Sequence, residues 1–204
     1  MGTSVILDII FSAVIAGAVF LMIINMNQTV ANSTFVSTNE LSIQSNMTTL
    51  VRIVETDFRK IGYCKDPIKI LDPSKSIKTV GRNMIKFISD VQNDGTVDTV
   101  EYTLGDTTSC RSTPNPRDRM LYRTISTSTT KKTQGFSLGV LRFEIIYYNA
   151  LADSILLSKA VADPSLVYSL QLSVLLESPY AYDTTYSYSY WRQIRLAARN
   201  LRNR

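Results

Sequence analysis

The hydrophobic rhythm of this chain changes along its length. Val5 to Ile24 is almost wholly apolar, with Asp8 its one ionisable residue. Twenty helical residues span about 30 Å, the thickness of a bilayer's hydrocarbon core. No helix breaker follows until Gly62. Asn25 to Thr38 is polar and rich in Asn, Ser and Thr, a stretch of weak helix propensity. An apolar stripe then runs through Val36, Ile43, Met47, Leu50, Val54, Phe58 and Ile61. Its three-, four- and seven-residue spacings mark one face of a helix. Glu40, Arg52, Glu55, Asp57, Arg59 and Lys60 are read as lying off that face. Arg59 and Lys60 suit a helix C-terminus, and Gly62 is a natural stop. Unbroken, such a helix would be about 90 Å long.

Beyond Gly62 the period becomes two. Met84–Asp90, Val97–Leu104, Met120–Ile125, Val140–Asn149, Val167–Glu177 and Tyr186–Leu196 read as strands. Asn93-Asp94-Gly95 is a hairpin signal between the first two. Thr107–Arg117 and Thr127–Gly135 read as joining segments. The expected fold is α+β, a long N-terminal helix packed on a C-terminal antiparallel sheet. The helix would occupy residues 1–61, with 5–24 in a membrane or filament core and 36–61 amphipathic. Residues 62–204 would form the β-rich domain, a normal size for one core.

Composition narrows the chemistry. The chain of 204 residues has no His. That removes the commonest general base, the His-assisted nucleophiles and most zinc sites. No cofactor motif is found, and no enzyme is expected. The net charge of +5 comes from Arg192, Arg195, Arg199, Arg202 and Arg204 at the C-terminus. A basic tail on a near-neutral chain does not make a broad nucleic-acid surface, so no nucleic-acid partner is expected.

In the apolar segment, Ala13-x-x-x-Gly17 and Ser12-x-x-x-Ala16 allow close helix approach in lipid. No Lys or Arg precedes the segment, so an uncleaved anchor is expected rather than a signal peptide. No charged residue lies between Asp8 and Glu40, and the first basic residue is Arg52. Without a positive flank on that side, the bulk of the chain is read as outside the membrane. Asp8 either reaches the headgroup region or pairs with a neighbouring subunit's N-terminal amine.

Three further groups have two readings each. Cys64 and Cys110 would form a disulfide in a chain that leaves the cytoplasm, or remain free thiols. Asp90 to Glu101 places Asp90, Asp94, Asp98 and Glu101 near a calcium-loop spacing, yet the flanks read as strands and a plain hairpin explains the Gly. Tyr186, Tyr188, Tyr190 and Trp191 form either an ordinary sheet face or a contact surface for a partner.

The order of segments carries a resemblance. The long helix ends in Ile61-Gly62-Tyr63, then come MIKFISDVQNDGTVDTVEYTL, RMLYRTI, GVLRFEIIYYN and RLAARNLRN. This succession resembles type IV pilins and type II secretion pseudopilins, above all the PilW-like minor pilins and the pseudopilin J class. It spans nearly the whole chain in short motifs. In that family a Gly precedes the processing cut and a Glu stands at the fifth position after it. Counted from Thr3, that fifth position is Leu7, and Asp8 comes one residue later. The resemblance implies a structural subunit of a pilus or secretion pseudopilus, built by packing N-terminal helices. Its partners would be other copies or paralogous pilin-like subunits and the membrane. It would stand in the inner membrane with its domain in the periplasm or outside the cell. The residues alone also fit a single-pass anchored binding domain, or a virion or envelope structural protein.

Overall fold

The structure is a computed structural model and describes residues 2–110, 113–178, 188–196 and 199–202. The fold is α+β: helix α1 (Gly2–Arg59) precedes seven strands. These are β1 (Ile77–Val80), β2 (Met84–Ser89), β3 (Asp98–Leu104), β4 (Arg119–Ser126), β5 (Lys131–Tyr148), β6 (Ser169–Glu177) and β7 (Tyr188–Leu196). A short helix α2 (Leu157–Ala162) lies between β5 and β6. The chain divides into two compact units, Met1–Leu41 and Ser42–Arg204. The division falls inside α1, earlier than the expected boundary at Ile61, because burial in the domain core begins at Ile43.

The polar stretch expected to weaken the helix is helical throughout. Its hydroxyls serve the helix itself: Thr29 donates to the Asn25 carbonyl at 2.9 Å and Thr38 to that of Thr34 at 2.8 Å.

From Ile43 the helix buries Ile43, Met47, Leu50, Val54 and Phe58, and Ile61 follows just past its end. All six belong to the stripe read from the sequence, and each contributes about 1.5–3 kcal/mol of burial. Val36, assigned to the same stripe, is exposed. Asp57, expected off the face, is buried. At three residues past Val54 it lies on the same side of the helix. Gly62 stops the helix with φ of 70°, its amide donating to the Ile88 carbonyl at 3.0 Å. A Cβ there would come within 2.8 Å of the Ser76 hydroxyl, so glycine is required for both conformation and space.

The sheet is a meander in which every strand pairs antiparallel with the next, in the order β1 to β7. Four of the expected strands recur with ends moved by two residues or fewer, β7 recurs over the described part of its expected range, and β5 is longer than expected. The first half of β5 pairs with β4 and its second half with β6. The exchange falls at Gly139, where φ is 77° and the register shifts, the signature of a bulge. The second half of β5 also returns to the β1–β2 turn: the Ile145 amide meets the Arg82 carbonyl at 2.9 Å, and the Tyr147 hydroxyl meets that of Gly81 at 2.8 Å. The sheet therefore curls around the buried face of the helix. Leu201 is buried in the same core, and the Asn200 side-chain amide donates to the Ile61 carbonyl at 3.4 Å.

Candidate assembly surface

The first unit of the chain keeps its large apolar side chains uncovered. Val5, Ile10, Phe11, Ile15, Phe20, Leu21, Met26, Val30 and Phe35 are among those exposed. This helix is long and apolar enough to cross a membrane, and none of its most apolar stretch is buried. Ala13 is exposed, and a Cβ added to Gly17 would meet nothing within 4 Å, so the small-residue notch stands open. Asp8 is exposed as well, its carbonyl accepting the Ser12 hydroxyl at 2.7 Å. A face this size left in water would drive association or insertion.

In the second unit, a groove of about 450 Å³ runs along α1 beside β7. Met47, Val51 and the half-buried Trp191 supply its apolar lining, and Thr48, Arg52, Glu55, Thr56 and Arg59 its polar positions. Arg59 is held by Glu55 one turn earlier, at 2.6 Å. Arg52 also borders a second hollow of about 380 Å³, with Ser45, Thr48, Thr49 and Ile53. Trp191, read from the sequence as part of either an ordinary sheet face or a contact surface, lines this groove. Tyr188 and Tyr190 lie on β7 opposite Glu177 and Leu175. Tyr186 and Arg204 lie outside the described residues.

Beneath this surface is an ionic lock that the sequence reading did not find. Arg123 of β4 grips the Asp57 carboxylate with two nitrogens, at 2.6 and 2.9 Å. Tyr102, directly opposite Arg123 on β3, donates its hydroxyl to the same carboxylate at 2.5 Å. Burial, and then the neighbouring Asp57 charge, pushes the Tyr102 hydroxyl well above its ordinary pKa, so it stays a donor. Burial alone would lower the Arg123 pKa, but bonding to Asp57 outweighs it and raises it. The lock fixes the register of α1 against the sheet. Asp57 beside Phe58 on the apolar stripe was the signal for it.

The two cysteines are not joined, contrary to the disulfide expectation. Tyr63 and Lys65 on either side of Cys64 both bond to Asp90, near the start of β3. Cys110 lies past the other end of β3, with its sulfur 3.6 Å from the Ser137 hydroxyl. A seven-residue strand spans roughly 20 Å, several times the Cα separation a disulfide accepts. Burial raises the Cys110 thiol pKa, which further slows its reaction. A thiol reagent added to the native, unreduced protein should therefore titrate the half-buried Cys64 alone, and both cysteines after unfolding. Two unreactive sulfurs in the unfolded, unreduced chain would restore the disulfide.

The calcium reading is not met. The Asp90 carboxylate accepts the amides of Lys65, Asp94 and Gly95 at 3.1, 3.1 and 2.9 Å. Burial works to raise the Asp90 pKa, but these amides outweigh it and hold it below the ordinary carboxylate value. Asp94 accepts from Thr96 at 2.7 Å, and Glu101 faces Lys86 across the β2–β3 pair at 3.9 Å. The Asp90 and Asp94 oxygens that a cation would use close the hairpin instead, with Asn93 and Gly95 in the left-handed region, while Asp98 accepts the Val91 amide at 3.2 Å. Among the described residues, no three acidic or thiol side chains are placed to hold a metal ion.

A second buried polar knot ties the loop before β4 to β6. Asn115 donates to Glu177 at 2.8 Å and to the Ser178 carbonyl at 3.1 Å, and Arg117 pairs with Glu177. Asp118 is buried beside them, and burial raises its carboxyl pKa.

No family model matches the sequence, and no curated protein matches it at significant similarity.

Proposed function

We propose that this chain is a membrane-anchored, pilin-like structural subunit that assembles into a filament by packing its N-terminal helices. The observation that carries the proposal is the division of labour along α1. Its first unit presents a membrane-length apolar surface with an open Ala13–Gly17 notch, and its later turns close the core of a sheet domain. Lipid and neighbouring helices are the two surroundings in which such a surface is stable, and small residues favour the second. The lack of basic residues between Asp8 and Arg52 supports a domain outside the membrane, with the filament growing in the periplasm or beyond the cell. The curled sheet on a helix supports the pilin resemblance of the segment order.

Detergent removal tests the reading. Full-length protein purified in detergent and then dialysed should form elongated assemblies by electron microscopy. The same protein placed in excess lipid vesicles should remain dispersed in the bilayer. Full-length protein that stays monomeric as detergent is withdrawn would reject the filament and leave an anchored binding domain.

A further inference from the structure

We infer that Glu40 of one copy pairs with Arg52 of the next, seating the first copy's Phe35–Leu41 segment in the second copy's groove beside Trp191. The inference rests on the filament reading and adds the contact that sets the step between subunits.

It comes from the charges left over on α1. The helix carries four acids, Asp8, Glu40, Glu55 and Asp57, and two cations, Arg52 and Arg59. Asp57 is held by Arg123, and Glu55 and Arg59 hold each other. Asp8 lies within the apolar stretch. Glu40 and Arg52 remain, both exposed and neither with an ionic partner among the described residues. They stand twelve positions apart in sequence, not at the three- or four-residue spacing at which side chains of one helix meet.

The surroundings match as well as the charges do. Arg52 stands between two hollows that run along the helix, the shape that accepts another helix's side-chain ridge. Met47, Val51 and Trp191 line the larger one with apolar surface. Glu40 has Phe35, Val36 and Leu41 as exposed apolar neighbours, and Val36 lies one turn before it on the same side. An acid flanked by apolar groups thus meets a cation flanked by an apolar groove. The contact is head-to-tail: each copy offers one Glu40 and one Arg52 to different neighbours. Such a contact joins two different patches, the heterologous kind that builds rings or open fibres, and the filament reading takes the second.

Charge exchange tests this in the full-length protein. Glu40→Arg alone and Arg52→Glu alone should each raise the concentration needed for assembly about tenfold, by placing like charges together. Mixing the two single variants, or combining both changes in one chain, should return assembly to near the unsubstituted level. Both sites are exposed, so far-UV circular dichroism and the unfolding midpoint in detergent should be unchanged in each variant. Single variants that assemble normally, or a double variant as defective as either single one, would overturn the pairing while leaving the filament intact. Failure of the unsubstituted protein to assemble would overturn both. A cross-link gives an independent readout: with Cys64→Ser, mixed Glu40→Cys and Arg52→Cys chains should be joined into a covalent dimer by a bifunctional thiol reagent long enough to replace the two side chains, since the Glu–Arg span exceeds the reach of a direct disulfide. Absence of that dimer in assembled protein would also overturn the pairing.

Discussion

Replacing Asp57 with alanine should destabilise the sheet domain by about 3–5 kcal/mol, because it strands a largely buried guanidinium. Guanidinium unfolding of the full-length protein in mild detergent, followed by Trp191 fluorescence, measures the loss. Arg123 has only 15% of its side chain exposed, so water cannot take over the role of the carboxylate. The Tyr102 hydroxyl loses its acceptor in the same step. Asp57→Asn should fall between, keeping the shape and one acceptor while giving up the charge. Asp57→Leu combined with Arg123→Met should recover much of the stability, since no buried charge is then left alone. A loss below about 1 kcal/mol for Asp57→Ala would mean that the pair is solvated in solution.

Phe58→Ala should be of similar size, about 3–5 kcal/mol. The Phe58 ring lies 5.5 Å from both Phe87 and Tyr102, and Tyr102 is 6.2 Å from Phe143. Removing it opens a cavity at the centre of a four-ring file that joins helix to sheet. Phe58→Leu should cost clearly less, because most of the volume remains. The Phe58 and Asp57 changes should not add, since both act on Tyr102. Simple additivity in the double variant would show that ring file and ionic lock are independent.

The apolar stripe from Ile43 to Ile61 was legible because helix burial writes a period of three to four residues. Most strands were legible because one face of each is buried. The first half of β5 was not: Lys131 to Gly135 is polar on both sides, so no alternation marks it. Its pairing is specified by β4, through contacts such as Thr124 against Thr133 at 3.0 Å. Strand β1 has four residues and helix α2 six, both too short to show a period. Asp57 was misplaced because a charge was assumed to mark the wet side. Its partners Tyr102 and Arg123 come from strands more than forty residues away, and nothing local announces them. The groove beside Trp191 likewise joins α1 to the last strand. The cysteine spacing could suggest a pair, but only the length of β3 between them could refuse it.

The order of the meander has a consequence for how the chain is made. Each strand finds its partner in the one synthesised just before it, so the sheet can zip up hairpin by hairpin as the polypeptide emerges. The exception is the end. β6 is buried along almost its whole length and is completed only by β7, the final strand. A chain cut short before Tyr188 would present β6, apolar and unpaired, as a raw edge. Loss of β7 would thus turn a folded sheet domain into an aggregation seed, and the strand that closes the sheet is also the one that keeps β6 from pairing with another chain.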